Sequence, residues 1–342
     1  MSAAPDRNGA VTLEHLSAHW RLALIVAQDA LSAITRSGSS VGFPAHELRE
    51  RAGRLERERA ETAKLLDEVA REEHVHLRHR LSAPRASRRT LGLPDTTAAC
   101  VFDLDGVLTA SAELHAAAWR DALDPVLASR VEQTGERFAP FKPFDPRTDY
   151  YLHLHARPRL EGVHAFLASR GIRLPEGHLD DPPGAETING LANRKNEALL
   201  QRLEHEGVEA FGGSQLYLEG VREAGLDCAV VSASANTKVI LERAGLDLLV
   251  GGEIDGNAIR SHRLHMKPAP DTMLAACRLL GAPPDRAAAF ETTYEGIEAA
   301  RAAGMALVVA VDRAGRADAL RAKGADRVVT DLAQLLDPAL AF

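Results

Sequence analysis

Two hydrophobic rhythms divide the chain. Over residues 11–34 the apolar side chains Leu13, Leu16, Trp20, Leu24 and Ala27 recur at steps of three and four, the spacing of one helix face. Residues 36–44 are rich in Ser and Gly and read as a turn. Residues 45–80 are charged, with Leu48, Leu55, Ala63, Leu66 and Val69 on one side. The pattern predicts a helical hairpin. Such a hairpin cannot bury its apolar stripes alone, so they require the main body or a second copy of the chain, and a homodimer through these helices is the partner reading. Residues 82–97, with their Pro, Arg and Ser content, read as a linker, so hairpin and linker together occupy 1–95.

Beyond Ala98 the rhythm changes to short apolar runs alternating with helical stretches, which predicts a Rossmann-like α/β core with a parallel sheet. Strands are expected at 99–104, 227–232, 247–251, 287–291, 306–311 and 327–329. The interval between the first two holds helical stretches and no comparable run. It reads as an inserted helical cap at 111–220, leaving 96–110 and 221–342 for the core.

Composition narrows the function. A net charge of -7 gives no overall field to attract nucleic acid or an anionic membrane. Cys100, Cys228 and Cys277 have no paired spacing and two of them lie in apolar runs, as expected of reduced core residues. Neither an export signal nor a span long enough for a bilayer is seen, so the expected location is the cytoplasm.

Candidate chemistry gathers at the strand ends. The first strand runs into Asp103-Leu104-Asp105-Gly106, placing two carboxylates where open α/β sheets bind ligands. One carboxylate can attack phosphorus while the other handles the proton of the leaving oxygen. Two turn or capping aspartates are the plainer alternative. The second strand leads to Ser232, Ala233, Ser234 and Asn236, whose hydroxyls and amides at a helix start suit phosphate oxygens. Lys267, between Met266 and Pro268, is placed to neutralise a nucleophile and the group it attacks. Glu291 ends the fourth strand as a further carboxylate for Mg²⁺ beside Asp103.

In this order the motifs resemble the haloacid dehalogenase superfamily, and within it the β-phosphoglucomutase-like members with a helical cap, over residues 98–336. The resemblance implies a magnesium-dependent enzyme acting on a small phosphorylated metabolite, a sugar phosphate. It makes Asp103 the nucleophile, Asp105 the general acid and base, Ser232 and Lys267 phosphate binders, and Asp103, Glu291 and the Asp105 carbonyl the metal donors. Ser111, His115 and Trp119 look like the mutase members in particular, with His115 near the hinge or simply packed. Residues 193–197 resemble the cap segment in which an arginine, here Arg194 beside Lys195, grips the non-reacting phosphate.

Two positions depart from that pattern. Thr292 stands where members carry a second metal-binding carboxylate, with Glu295 as a nearby substitute, and Ala235 stands where several mutases carry a lysine. A phosphatase and a degenerate binding or regulatory protein therefore stay open beside the mutase. His153, His155, His164 and His178 lack the cysteine company of a zinc site and read as scattered surface residues.

Overall fold

The structure is a computed structural model that describes residues 86–135 and 141–336. The expected hairpin at 11–80 lies outside the described residues. Six strands form one parallel sheet: β1 (Ala99–Asp103), β2 (Asp227–Val231), β3 (Gly252–Ile254), β4 (Ala287–Glu291), β5 (Leu307–Val311) and β6 (Arg327–Val329), in the order β3-β2-β1-β4-β5-β6. Chain direction across the sheet reverses between β1 and β4, which opens a crevice at their carboxyl ends.

Alternation along the strands builds the core. Cys100 and Phe102 face one side with Cys228, Val230, Ala288 and Phe290, while Val101 faces the other with Ala229, Val231 and Ala289. Small residues in β4 let the helices approach. On the first face Phe102 stacks on Phe290 with centroids 4.4 Å apart, and Tyr217 meets Phe290 edge-on at 5.3 Å. Truncating Phe290 to Ala removes a fully buried ring from directly beneath the catalytic strand ends, so chemical denaturation should show a loss of about 3–5 kcal/mol.

The insertion between β1 and β2 holds α1 (Ala112–Thr134), a π-helical turn at Tyr150–Leu154, α2 (Arg159–Ser169) and α3 (Ile188–His205). These pack around a core of their own that includes Trp119, Leu123, Phe144, Phe166 and Leu191. The two chain crossings between sheet and insertion run side by side. Ala110 N donates to the Glu209 carbonyl and Phe211 N to the Leu108 carbonyl, each at 3.0 Å, with Thr109 bridged antiparallel to Ala210. The chain continues through α4 (Gly212–Glu223), α5 (Thr237–Arg243), α6 (Gly256–Ser261), α7 (Asp271–Leu279), α8 (Tyr294–Ala302) and α9 (Ala317–Ala322).

Three expectations change. Helix α4 does not close the cap: Tyr217, Leu218 and Val221 lie in the sheet's core, and the Ser214 hydroxyl donates to the Val107 carbonyl at 2.6 Å. The core therefore resumes near residue 211, about ten residues before the expected boundary. The described end of the expected linker also belongs to the core. Leu91 and Leu93 are buried there, and the Tyr217 hydroxyl donates to the Leu91 carbonyl at 2.8 Å. Finally, 247–251 is not a strand; Asp247–Leu249 forms a 3₁₀ turn with Leu248 74% exposed, and the edge strand begins at Gly252.

Candidate active site

The turn after β1 is set by backbone geometry. Leu108 N and Thr109 N both return to the Leu104 carbonyl, and Gly106 takes φ +83°, where a side chain would be strained. This fold-back leaves Asp103 at the strand end and Asp105 on the turn. The Ser111 hydroxyl donates to Asp105 Oδ1 and shares a 2.7 Å hydrogen bond with Thr109 Oγ1. The second carboxylate is thus held by a hydroxyl relay at the start of α1.

Across from Asp103, the buried Lys267 ammonium lies 3.2 Å from Asp103 Oδ1 and 2.6 Å from Glu291 Oε1. Burial works against that charge, but Asp103 and Glu291 together hold Lys267 above the ordinary lysine range. Glu291 is fully enclosed, and burial pushes its carboxyl up to about 8 against the pull of Lys267. One ammonium does not satisfy two carboxylates: Glu291 Oε2 has no hydrogen-bond partner among the described residues. Thr292 follows, its hydroxyl 3.4 Å from both Asp103 Oδ2 and the Asp105 carbonyl. Thr292 therefore faces the same point as the Asp103 carboxylate. Glu295 sits exposed in the first turn of α8, clear of this cluster.

The loop after β2 forms the adjoining wall. Ser232 is buried, its Oγ accepts from Ser234 N at 3.1 Å, and Ser234 Oγ accepts from Asn236 N at 3.2 Å. Gly256 packs directly beneath: a Cβ there would lie 2.5 Å from the Ala233 carbonyl. Only glycine fits that approach.

On the cap side, Lys195 is buried, 3.0 Å from His115 Nδ1 and 5.4 Å above the Trp119 ring. Burial, then the charge of Arg159, bring Lys195 down to about 7 against the opposing pull of Asp105. Burial and Lys195 likewise hold His115 well below its ordinary value, which favours the neutral ring beside Lys195. Its Nε2 is buried without a hydrogen-bond partner. His115 is thus a polarised lining residue rather than packing alone.

Asp103, Asp105, His115, Lys195, Ala233, Ser234, Asn236 and Lys267 line one cleft of about 610 Å³ together with Ser232. Glu291 and Thr292 stand behind its floor, and Ser111 behind Asp105. Arg194 does not join them. Its Nε donates to the Pro183 carbonyl at 2.6 Å and Nη1 to the Ala122 carbonyl at 3.5 Å, so it ties two cap segments together.

Other cleft residues were not anticipated from the sequence. Arg159, at the start of α2, donates from Nη1 to Asn196 Oδ1, and Arg157, Arg260 and Arg263 stand around the mouth. His155 also lines the cleft, with Tyr150 and Tyr151 rings 5.3 and 5.1 Å away. Burial lowers its pKa against the attraction of Asp105 and Asp103. The expected scatter holds only for its neighbours: His164 pairs with Glu176, and His178 lies on the Asp181 turn. An Arg-Pro-Arg run at a helix start was the available signal for Arg159.

A parallel sheet carrying Asp-x-Asp, Ser and Glu at strand ends, with a Lys from the loop before α7 between the carboxylates, defines an enzyme class that transfers phosphoryl groups through aspartate. Residues 97–304 match the haloacid dehalogenase-like hydrolase family, and the chain belongs to it. Within that family it is 49% identical over 261 residues to a β-phosphoglucomutase of Mycobacterium bovis, a match spanning 75% of this chain and 98% of the relative. A Bacillus subtilis β-phosphoglucomutase is 26% identical, covering 60% of this chain and 80% of that protein. Among solved structures, a Clostridium difficile β-phosphoglucomutase superposes with a TM-score of 0.54 at 23% identity, covering 70% of this chain and 93% of the other, which supports the fold.

Proposed function

We propose that the protein is a β-phosphoglucomutase-type enzyme, exchanging a phosphoryl group between O1 and O6 of a hexose by way of Asp103. The carrying observation is that one cleft holds a phosphoryl-transfer floor and, on its opposite side, the cap cations Lys195 and Arg159. A simple phosphatase needs the floor alone. A ligand that bears phosphate at either end matches both.

In this reading a phosphorylated Asp103 gives its phosphoryl group to O6 of β-glucose 1-phosphate while Asp105 takes the O6 proton. The bisphosphate turns end for end in the cleft. Asp103 then takes the phosphoryl group from O1, and Asp105 returns the proton to that oxygen. Lys267 offsets the charge of Asp103 and of the phosphoryl oxygens, and Ser232 supplies a hydroxyl beside them.

Magnesium is the cofactor that suits the donors. The Asp103 carboxylate, the Asp105 carbonyl and the unpartnered Glu291 Oε2 are hard oxygens, and no three His, Cys, Asp or Glu side chains among the described residues form a metal cage. Bound there, the ion would supply charge neutralisation for the phosphoryl group. Incubation with β-glucose 1-phosphate, magnesium and a trace of glucose 1,6-bisphosphate should yield glucose 6-phosphate. Stoichiometric inorganic phosphate in its place would assign a phosphatase.

Thr292 tests the metal assignment. Because its hydroxyl points at Asp103 and the Asp105 carbonyl, Thr292→Asp adds a carboxylate at the same place. The magnesium concentration for half-maximal activity should fall about tenfold, the equivalent of ~1.4 kcal/mol. Magnesium titration followed by the melting temperature should shift in parallel. An unchanged magnesium response would remove Thr292 from the metal's surroundings.

A further inference from the structure

We propose that Arg313, in the loop between β5 and α9, is a positioning residue: it fixes the Gly106 peptide and so steadies Asp105 for proton transfer. One guanidinium meets three segments. Nε donates to the Gly106 carbonyl at 3.2 Å, and Nη1 donates to the Thr330 carbonyl at 2.8 Å while lying 3.4 Å from Asp331 Oδ2. Its face stands 3.8 Å from the centroid of the Phe211 ring. The catalytic turn, the loop after β6 and the return crossing from the insertion are therefore joined on one side chain. Asp331 is seated for this contact: its Oδ1 accepts from Ala333 N at 2.9 Å, and a Cβ on Gly213 would lie 1.6 Å from that oxygen. A planar guanidinium can stack on a ring and donate to two carbonyls in its own plane, which a lysine ammonium cannot.

The turn needs such a brace. Gly106 N donates to the Thr109 carbonyl at 2.9 Å, but a glycine at φ +83° restrains its own backbone less than any other residue. Arg313 holds the carbonyl of that glycine, one residue from Asp105, whose carboxyl the Ser111 hydroxyl holds from the other end. Asp105 is thus steadied through its backbone by one and through its side chain by the other. The fold gains little from the arrangement, because the Arg313 side chain is 30% exposed and its pair with Asp331 is long, the kind of surface pair that contributes little to stability. Arg313 does not line the cleft and so touches no substrate. Its removal should therefore register in the proton-dependent step, and in neither melting nor substrate binding.

The inference rests on the proton role given to Asp105, and the experiment separates the two. In the full-length chain Arg313→Met keeps the length of the side chain and its cover over Phe211 but has no donor, whereas Arg313→Lys keeps the charge and a donor. Loss of β-glucose 1-phosphate, scored whatever the product, should slow about 10–100-fold in kcat with Arg313→Met while KM stays within about threefold. Phosphorylation of Asp103 by acetyl phosphate in a single turnover should stay within about threefold, because that leaving group needs no proton. Arg313→Lys should recover about half of the loss on a logarithmic scale, and either variant should melt within about 3 °C of the wild type. Equal losses on the two donors, an undiminished kcat, or a lysine variant no better than methionine overturns the positioning role. Should Arg313→Met not fold, Arg313→Lys decides alone, by a loss of about threefold or more confined to the sugar ester. Asp105→Asn measured in parallel marks the other failure: without selectivity between the two donors in that variant, the acid and base reading itself falls.

Discussion

Asp103→Asn should lower turnover by about 10⁴-fold or more while the protein melts as a folded chain. The amide keeps the size of the carboxyl and one hydrogen-bond acceptor for Lys267, but its oxygen is a poor nucleophile toward phosphorus. Stability changes little because two effects oppose. Lys267 loses one of its two anionic partners, and Glu291 loses a like charge on the far side of the same ammonium. Single-turnover measurements with a ³²P-labelled donor should show no acid-stable, hydroxylamine-sensitive phosphoryl label on the protein. Turnover at the wild-type rate would remove Asp103 from the mechanism.

The second large effect belongs to Asp105, and its signature is selectivity between leaving groups. A sugar oxygen leaves poorly without a proton, so Asp105→Asn should slow transfer from β-glucose 1-phosphate by about 10²–10⁴-fold. Acetyl phosphate or p-nitrophenyl phosphate carries a leaving group that needs no proton. With these esters the phosphorylation of Asp103 should persist, while the following transfer to a hydroxyl or to water remains slow. The Ser111 contact gives the variant a defined geometry, since the Asn amide oxygen can still accept that hydroxyl. Equal losses on activated and unactivated esters would argue against the acid and base role.

Much of this site was readable from the sequence because the sheet does the assembling. Any residue at the carboxyl end of a buried parallel strand reaches the crevice, so Asp103, Ser232 and Glu291 follow once the apolar runs are found. The runs at β1, β2, β4 and β5 are unambiguous because Ala, Val and Phe fill both faces. β3 is displaced from its expected place because it is an edge strand whose Gly252 and Glu253 are only half-buried, whereas in the more apolar stretch before it Leu249 and Val250 pack on the core without joining the sheet and Leu248 is exposed. Hydrophobicity there marks the wrong residues.

The cap is less legible for a different reason. Its cleft residues come from helices that meet only through tertiary packing, and no local pattern records which way each helix faces. Arg194 and Lys195 show the scale of the problem: successive helix residues point about 100° apart, so one fastens the cap's backbone while the other enters the cleft. Arg159 and His155 follow from the π-helical turn and the Pro158 that starts α2, in a stretch whose composition suggested only surface. Arg260 belongs to a six-residue helix with no periodicity to read.

The paired crossings at 108–110 and 209–211 bear on how the cleft works mechanically. A single strand between two bodies twists and bends about every axis, whereas two strands held in antiparallel register resist torsion and leave bending across the ribbon as the soft direction. Bending across the ribbon is then the freedom that these two segments leave to the insertion. If a ligand reverses its ends between two transfers, a paired crossing that bends in one direction presents it each time with the same cap side chains.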